Sequence, residues 1–114
     1  MKDDIERVEY ASMLYDFYGN LLSESQNEVM ALYHEDNLSL SEIAEELGQS
    51  RQAVHYTLRK AEKALESYEE KLGLLTSYKR NQKLAADAAA LMDKSEVAPA
   101  LKEKLKHIIY EIVE

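Results

Sequence analysis

Apolar residues recur at three- and four-residue intervals along most of the chain. In the first segment this spacing joins Ile5, Val8, Ala11, Tyr15 and Tyr18. Such spacing places side chains on one face of an α-helix, because the helix completes a turn in about 3.6 residues. The pattern therefore predicts a first helix from Asp3 to about Gly19.

Serines mark the predicted starts of the next three helices. Ser23 and Ser39 are each followed three positions later by a glutamine or a glutamate. This pattern is typical of a capping box, in which the serine accepts a hydrogen bond from a free backbone N–H and the later side chain reaches back. Ser50 is predicted to cap a fourth helix. We expect the second helix to end near 35–37 and the third to end before Gly48.

Two further helices are predicted in the C-terminal part of the chain. One covers 74–92, and the last is predicted to be capped by Ser95, with Pro99 tolerated in its first turn. Before them lie three leucines spaced by seven: Leu58, Leu65 and Leu72. Gly73 interrupts this heptad pattern, although a single glycine need not end a helix. The heptads and the C-terminal helices either join two copies of the chain or pack within one, and both alternatives stay open.

Composition indicates that the fold is all-α. The 114 residues include only three glycines and one proline, too few for the tight turns of a sheet protein. We predict one all-α domain over 1–114. The chain has no cysteine, no apolar run long enough for a membrane span and no secretory signal pattern. These features favour a cytoplasmic protein.

The segment Leu40–Leu58, LSEIAEELGQSRQAVHYTL, carries the most specific pattern. A helix-turn-helix needs a small residue where its helices touch and a turn residue that tolerates positive φ, and Ala44 and Gly48 meet these needs. Apolar positions suited to holding the pair against a third helix are Ile43, Leu47, Val54 and Leu58. We predict a helix-turn-helix core over 23–66, followed over 67–114 by C-terminal helices that are candidates for dimerisation.

The second helix of this motif has the residue types that read DNA. Arginine forms paired hydrogen bonds with guanine, and glutamine does so with adenine, in the major groove. Four polar residues at helical spacing are predicted to face base edges: Arg51, Gln52, His55 and Arg59. Three more are predicted to contact phosphates, which fix the register but carry no sequence information: Ser50, Lys60 and Lys63.

Charge is divided unevenly along the chain, whose net charge is −8. Residues 1–49 include two basic and twelve acidic residues, whereas residues 50–83 include eight basic and four acidic ones. One reading is an ordinary solvated pattern on helix surfaces. The other is that the basic stretch meets an anionic partner while the acidic half stays away from it. The charge pattern alone does not separate the two.

The segment SESQNEVMALYHEDNLSLSEIAEELGQSRQAVHYTLRKAEKALE resembles the last DNA-binding region of bacterial sigma factors. The runs LYDFYGNLL, LSLSEIAEEL, SRQAV and YEEKLGLL, within about 14–75, together resemble the YlxM family of small bacterial proteins. The resemblance implies a sigma-type helix-turn-helix with additional helices at both ends and a recognition helix beginning at Ser50. It also implies a regulatory role and a part in the signal recognition particle pathway, a link that rests on gene neighbourhood. Two positions depart from the usual pattern: Gln49, commonly apolar, and Ser25, commonly basic.

Two functions from different classes follow. The first is a regulator that binds duplex DNA, as a homodimer if two half-sites are read. The alternative is a non-catalytic accessory factor of the signal recognition particle machinery. Such a factor would dock on a basic protein through the acidic half or bind the particle's RNA through the basic stretch.

The residues favour no catalytic or metal site. The three histidines are far apart in sequence and have no partner at metal-ligand spacing: His34, His55 and His107. The acidic residues of the third helix are predicted to be solvated, which does not split carboxylate pKa values as catalysis requires. No glycine-rich phosphate loop or nucleophile elbow is present. We predict that the protein is not an enzyme and needs no cofactor or metal.

Overall fold

The computed structural model describes residues 2–113, with side chains from residue 5 onward. Six α-helices follow one another: α1 Lys2–Tyr18, α2 Glu24–Met30, α3 Leu40–Leu47, α4 Arg51–Leu72, α5 Leu74–Asp93 and α6 Pro99–Val113. A single 3-10 turn, Gly19–Leu21, follows α1, and a π-helical segment, Ala31–Glu35, continues α2. No strand occurs among the described residues. The all-α prediction is confirmed.

The helix starts are fixed by the serines that the sequence singles out. The Ser39 hydroxyl accepts from the Glu42 N–H at 3.1 Å, while the Glu42 carboxylate accepts from the Ser39 N–H at 3.0 Å. Ser23 and Gln26 form the same reciprocal pair, with both distances at 3.3 Å. Both capping boxes are therefore confirmed, and each satisfies two N–H groups that have no partner inside the helix.

The chain divides into two compact units, the first ending at Gly73 and the second beginning at Leu74. Gly73 adopts the left-handed conformation (φ 62°), and its N–H donates to the Glu69 carbonyl at 2.8 Å. Its left-handed φ ends α4, so the helix predicted over 74–92 is a separate helix and is confirmed as α5.

In the first unit, α1, α2 and α3 all pack against α4. The apolar core comprises Ala11, Leu14, Tyr18, Val29, Met30, Ile43, Ala44, Val54, Leu58, Ala61 and Leu65. Two of the three heptad leucines, Leu58 and Leu65, thus pack within this unit, while Leu72 is 57% exposed. Of the two alternatives for the heptad leucines, dimer contact or packing within one chain, Leu58 and Leu65 therefore follow the second.

In the second unit, α5 and α6 form a helical hairpin. The Lys106 ammonium lies 2.7 Å from the Asp93 carboxylate and links the two helices. Ser95 does not cap α6, contrary to the prediction, because α6 begins at Pro99. Its hydroxyl instead donates to the Met92 carbonyl at 2.6 Å, at the end of α5. Pro99 stands in the first turn of α6 as expected.

Candidate nucleic-acid interface

A tight turn joins α3 to α4 and sets the angle between them. Gly48 has φ 65° and ψ 35°, and the next residue, Gln49, donates its N–H to the Ala44 carbonyl at 2.9 Å. This six-residue hydrogen bond is the signature of a Schellman end, which needs a left-handed residue. A Cβ added at Gly48 would meet no atom within 4 Å. Glycine is therefore required here for its backbone conformation and not for space.

Apolar contacts hold the two helices of the motif to the rest of the first unit. Ile43 and Val54 are fully buried, Leu58 is 3% exposed and Ala44 is 8% exposed. Leu47 is half-buried at the end of α3. The small side chain of Ala44 stands where α3 meets the helices it packs on, as the motif requires. The predicted helix-turn-helix packing is confirmed at these positions.

The start of α4 is capped by Ser50. Its hydroxyl oxygen accepts from the Ala53 N–H at 3.0 Å, with an extended backbone at Ser50 itself. The hydroxyl proton stays available for a second hydrogen bond, because a serine both donates and accepts. Ser50 is exposed, as are the predicted base-reading residues that follow it. The first turn of α4 therefore presents free N–H groups and a hydroxyl to solvent.

The predicted side chains of α4 form one exposed face. At 3.6 residues per turn, a single row along the helix contains Gln52, His55, Arg59 and Lys63. Arg51 is exposed beside this row, in the first turn. We call these five residues, together with Ser50, the α4 polar face. It spans about 16 Å from Gln52 to Lys63, at 1.5 Å per residue.

Two side chains of the α4 polar face touch each other. The Arg59 Nε donates to the His55 Nε2 at 3.4 Å. A ring nitrogen can accept a hydrogen bond only when it carries no proton, so this contact requires the neutral imidazole. The contact also directs the Arg59 side chain toward the N-terminal end of α4, where Arg51 and Gln52 lie.

Lys60 lies outside this row, together with Tyr56. The Lys60 ammonium is 5.3 Å from the centre of the Tyr56 ring, a cation–π contact. Tyr56 is 63% exposed, so its ring offers a flat apolar surface at the edge of the α4 polar face. The structure therefore brings six of the seven predicted residues together and sets Lys60 on a neighbouring row.

Acidic side chains border the α4 polar face at its C-terminal end. Beyond Lys63 the same row continues with Glu66 and Glu70, both exposed. A separate cleft of about 540 Å³ lies on another side of α4, away from this row, and is lined by Thr57 and by Glu24 and Glu28 of α2. Sequence reasoning did not identify this cleft, although the i, i+4 spacing of its two glutamates already indicated a negative patch on α2. The acidic residues beyond Lys63 would repel phosphate, so the part of this row that is suited to an anion lies in the first four turns of α4.

The inner face of α4 is anchored by two buried acids that sequence reasoning treated only as charges. One nitrogen of Arg7 in α1 contacts both carboxylate oxygens of Glu62, at 2.8 and 3.1 Å. The Tyr18 hydroxyl, also from α1, donates to Glu69 at 2.6 Å. The sequence signal for their burial is helical periodicity, because each acid stands four residues after a buried leucine of α4 and so lies on the same face.

The described residues were also compared with what a metal site and a membrane span require. Within residues 2–113, no group of three or more His, Cys, Asp and Glu side chains is arranged to hold a metal ion. No described helix is long and apolar enough to cross a membrane. His55 lies on the α4 polar face, and His107 is an exposed residue of α6 next to Glu111.

Comparison with known proteins extends these observations. Residues 5–108 match the UPF0122 family, described as "Putative helix-turn-helix protein, YlxM / p13 like". A UPF0122 protein of Desulforamulus reducens is 44% identical over 105 residues, which cover 90% of each chain. UPF0122 proteins of Bacillus cereus (strain AH187) and Bacillus anthracis (strain A0248) are each 40% identical over 108 residues, covering 95% of this chain and 96% of each relative.

Proposed function

Because the chain belongs to the UPF0122 family of YlxM/p13-like helix-turn-helix proteins, we propose that it binds duplex DNA through the α4 polar face and acts as a regulator. The observation that carries the proposal is the exposure of this face on a helix held by a helix-turn-helix turn. The start of such a helix is the part that enters the major groove. The row from Gln52 to Arg59 covers about two helical turns, which suits a groove about 12 Å wide.

Each residue of the face has a proposed role. Those nearest the start of α4 contact base edges, with arginine directed to guanine and glutamine to adenine: Arg51, Gln52, His55 and Arg59. Phosphates are contacted by Ser50 and the N–H groups of the first turn, and by Lys60 and Lys63. While Arg59 donates to the Nε2 of His55, the Nδ1–H of the same ring is the group left to donate to a base edge.

The acidic border shapes the expected affinity. Glu66 and Glu70 continue the row of the face and repel phosphate, so a single motif is expected to bind non-specific DNA weakly and to lose that binding steeply with salt. Specific recognition then needs two motifs on two half-sites, because one motif touches few base pairs.

The test is fluorescence anisotropy on duplex DNA at low and moderate salt, with a site first selected from a random duplex library. We expect Arg51→Ala and Arg59→Ala each to weaken binding to the selected site about tenfold or more, because a paired arginine–guanine contact is worth about 1–3 kcal/mol. Lys60→Ala should weaken all sequences alike and reduce the salt slope by about one.

Lys71→Ala is the matched control, because it removes one exposed positive charge from the last turn of the same helix. It should bind as the unmodified protein does. The proposal fails if the protein binds no duplex at low salt, or if Arg51→Ala and Arg59→Ala bind no more weakly than Lys71→Ala.

A second candidate function is an accessory role in the signal recognition particle machinery, through the particle's RNA. The observation that favours it is the exposed Tyr56 ring beside Lys60, since unpaired RNA bases stack on aromatic rings next to basic groups. The same titration with that RNA distinguishes the two. Binding to RNA that exceeds binding to duplex DNA, and that Tyr56→Ala removes, would favour the accessory role. Both functions are non-catalytic and would be performed in the cytoplasm.

A further inference from the structure

The last helix exposes an apolar stripe. Its members follow a 4-3-4 spacing and are 50%, 37%, 52% and 77% exposed: Leu101, Leu105, Ile108 and Ile112. This spacing is that of the core positions of a coiled coil, and it extends over almost the full length of α6. We call these four residues the α6 stripe.

The α6 stripe is not the face with which α6 packs on α5. The side chains of α6 that are half-buried lie about a quarter turn away: Lys102, Lys106, Ile109 and Val113. Lys106 on that face pairs with Asp93 at the end of α5. The hairpin therefore leaves the stripe uncovered.

The second unit also buries little apolar surface of its own. Among its described residues only Leu75 and Ala85 are buried apolar side chains. A segment of about 40 residues with so small a core normally gains stability by oligomerisation or another external support. An exposed stripe of four branched aliphatic residues is the surface that such an association would bury.

We infer that the α6 stripe is the contact surface for a second copy of this chain, with the two α6 helices antiparallel about a two-fold axis. In this register Leu105 faces the second copy's Ile108, and Leu101 faces the second copy's Ile112. Every stripe residue then has an apolar partner. A two-fold contact closes on itself, as expected for a homodimer.

Charges beside the stripe determine the direction. Lys104 and Glu111 both occupy the flank that precedes the first core position of a heptad, and both are exposed. In the antiparallel register these equivalent flanks meet, so Lys104 lies near the second copy's Glu111, and symmetry repeats the pair. A parallel arrangement would instead place Lys104 beside the second copy's Ile109 and would form no such pair. Charge complementarity thus selects a second, antiparallel copy as the occupant.

The first experiment is the mass of the full chain in solution by light scattering and sedimentation equilibrium. We expect twice the 13.1 kDa of one chain. Ile108→Glu should give a monomer at micromolar concentration with unchanged helicity by circular dichroism, because the site is exposed in the single chain. Leu91→Glu, at a position 69% exposed on α5, is the matched control and should remain dimeric.

Direction and register are tested separately. Lys104→Glu and Glu111→Lys alone should each weaken the dimer, and the chain that carries both should regain it, because the symmetric pairs are restored with reversed charge. The chain has no cysteine, so single cysteines report contacts cleanly. Leu101→Cys mixed with Ile112→Cys should form a mixed disulfide, whereas neither variant should couple to itself.

A monomer over the whole concentration range would overturn the inference, as would a dimer that Ile108→Glu leaves intact. Coupling of Leu101→Cys to itself would indicate parallel helices and would equally overturn it. These measurements use no nucleic acid, so the contact can hold even if the proposed DNA binding fails. If both hold, the dimer supplies the two motifs that reading two half-sites requires.

Discussion

One nitrogen of Arg7 is shared between the two carboxylate oxygens of Glu62, and this pair joins α1 to the buried face of α4. The Glu62 side chain is 7% exposed and that of Arg7 is 36% exposed. Removing the arginine leaves a buried carboxylate without its counter-charge, which is costly in a site of low polarity. We expect Arg7→Met to lower the free energy of unfolding by about 2 kcal/mol, below the range for fully buried pairs because Arg7 is partly solvated. Urea unfolding followed by circular dichroism measures it.

Two further variants separate this pairing from general packing. Arg7→Met combined with Glu62→Met should recover most of the lost stability, because an apolar pair of similar volume needs no desolvation of charge. Glu66→Gln, one turn further along α4 on the exposed side, should change stability little. If the single Arg7→Met variant and the double variant lost the same free energy of unfolding, a role for the ion pair would be contradicted.

The α3–α4 turn depends on the backbone of Gly48. Because φ is 65° and a Cβ would meet nothing within 4 Å, Gly48→Ala introduces backbone strain without a clash. The expected loss in the free energy of unfolding is about 1–2 kcal/mol, the cost of the left-handed conformation for an L-residue. Gly48→Asn should lose less, because asparagine tolerates this region better. The same thermal or urea unfolding measures both, and an alanine variant as stable as the parent would refute the strain.

Much of the helix-turn-helix could be predicted because its determinants are local. The capping partners stand three residues apart, and Gly48 follows α3 directly, so each signal lies within one turn of the structure that it sets. The same locality explains why the sequence alone predicts which residues share the exposed row of α4. A serine preceding a helix is weaker evidence, as Ser95 shows, because its hydroxyl bonds back to the end of α5.

Long-range pairings lay beyond the sequence pattern. Arg7 and Glu62 are 55 positions apart, and Tyr18 and Glu69 are 51 apart, so their contact depends on how α1 packs on α4. Periodicity indicates that the two glutamates lie on the buried side of α4, but it does not identify the α1 residue that each of them contacts. The cleft bordered by Glu24 and Glu28 likewise requires the packing of α2 beside α4.

Ser50 has both a structural and a proposed binding role, and one substitution separates them. Ser50→Asp keeps an N-cap acceptor and adds a negative charge that the helix start favours, so stability should be retained. The added charge would repel phosphate, so DNA affinity should fall. Ser50→Ala should instead lose about 1 kcal/mol of stability. Unfolding and anisotropy measured on both variants test this, and undiminished DNA binding by Ser50→Asp would exclude a phosphate near Ser50.

His34 is expected to make stability depend on pH. Its Nε2 is buried and has no hydrogen-bond partner among the described residues, and its ring contacts those of Tyr15 and Tyr33. Burial lowers the pKa of His34 below its ordinary value, the positive charge of Arg7 lowers it further, and Asp16 opposes both effects. The unfolded chain therefore binds a proton first as the pH falls through about 6.5, and the folded state loses stability from there down to its own lower pKa.

The pH dependence is measured as the free energy of unfolding between about pH 7.5 and pH 5, above the range where most carboxylates titrate. His34→Phe keeps an aromatic ring against its neighbours and removes the titrating nitrogen, so its stability should fall less over this range. His107→Gln is the control for replacing a histidine at an exposed position, because the His107 side chain is 81% exposed. Parallel curves for the parent and His34→Phe would show that protonation of His34 does not contribute, since a group whose pKa is equal in both states has no effect on stability.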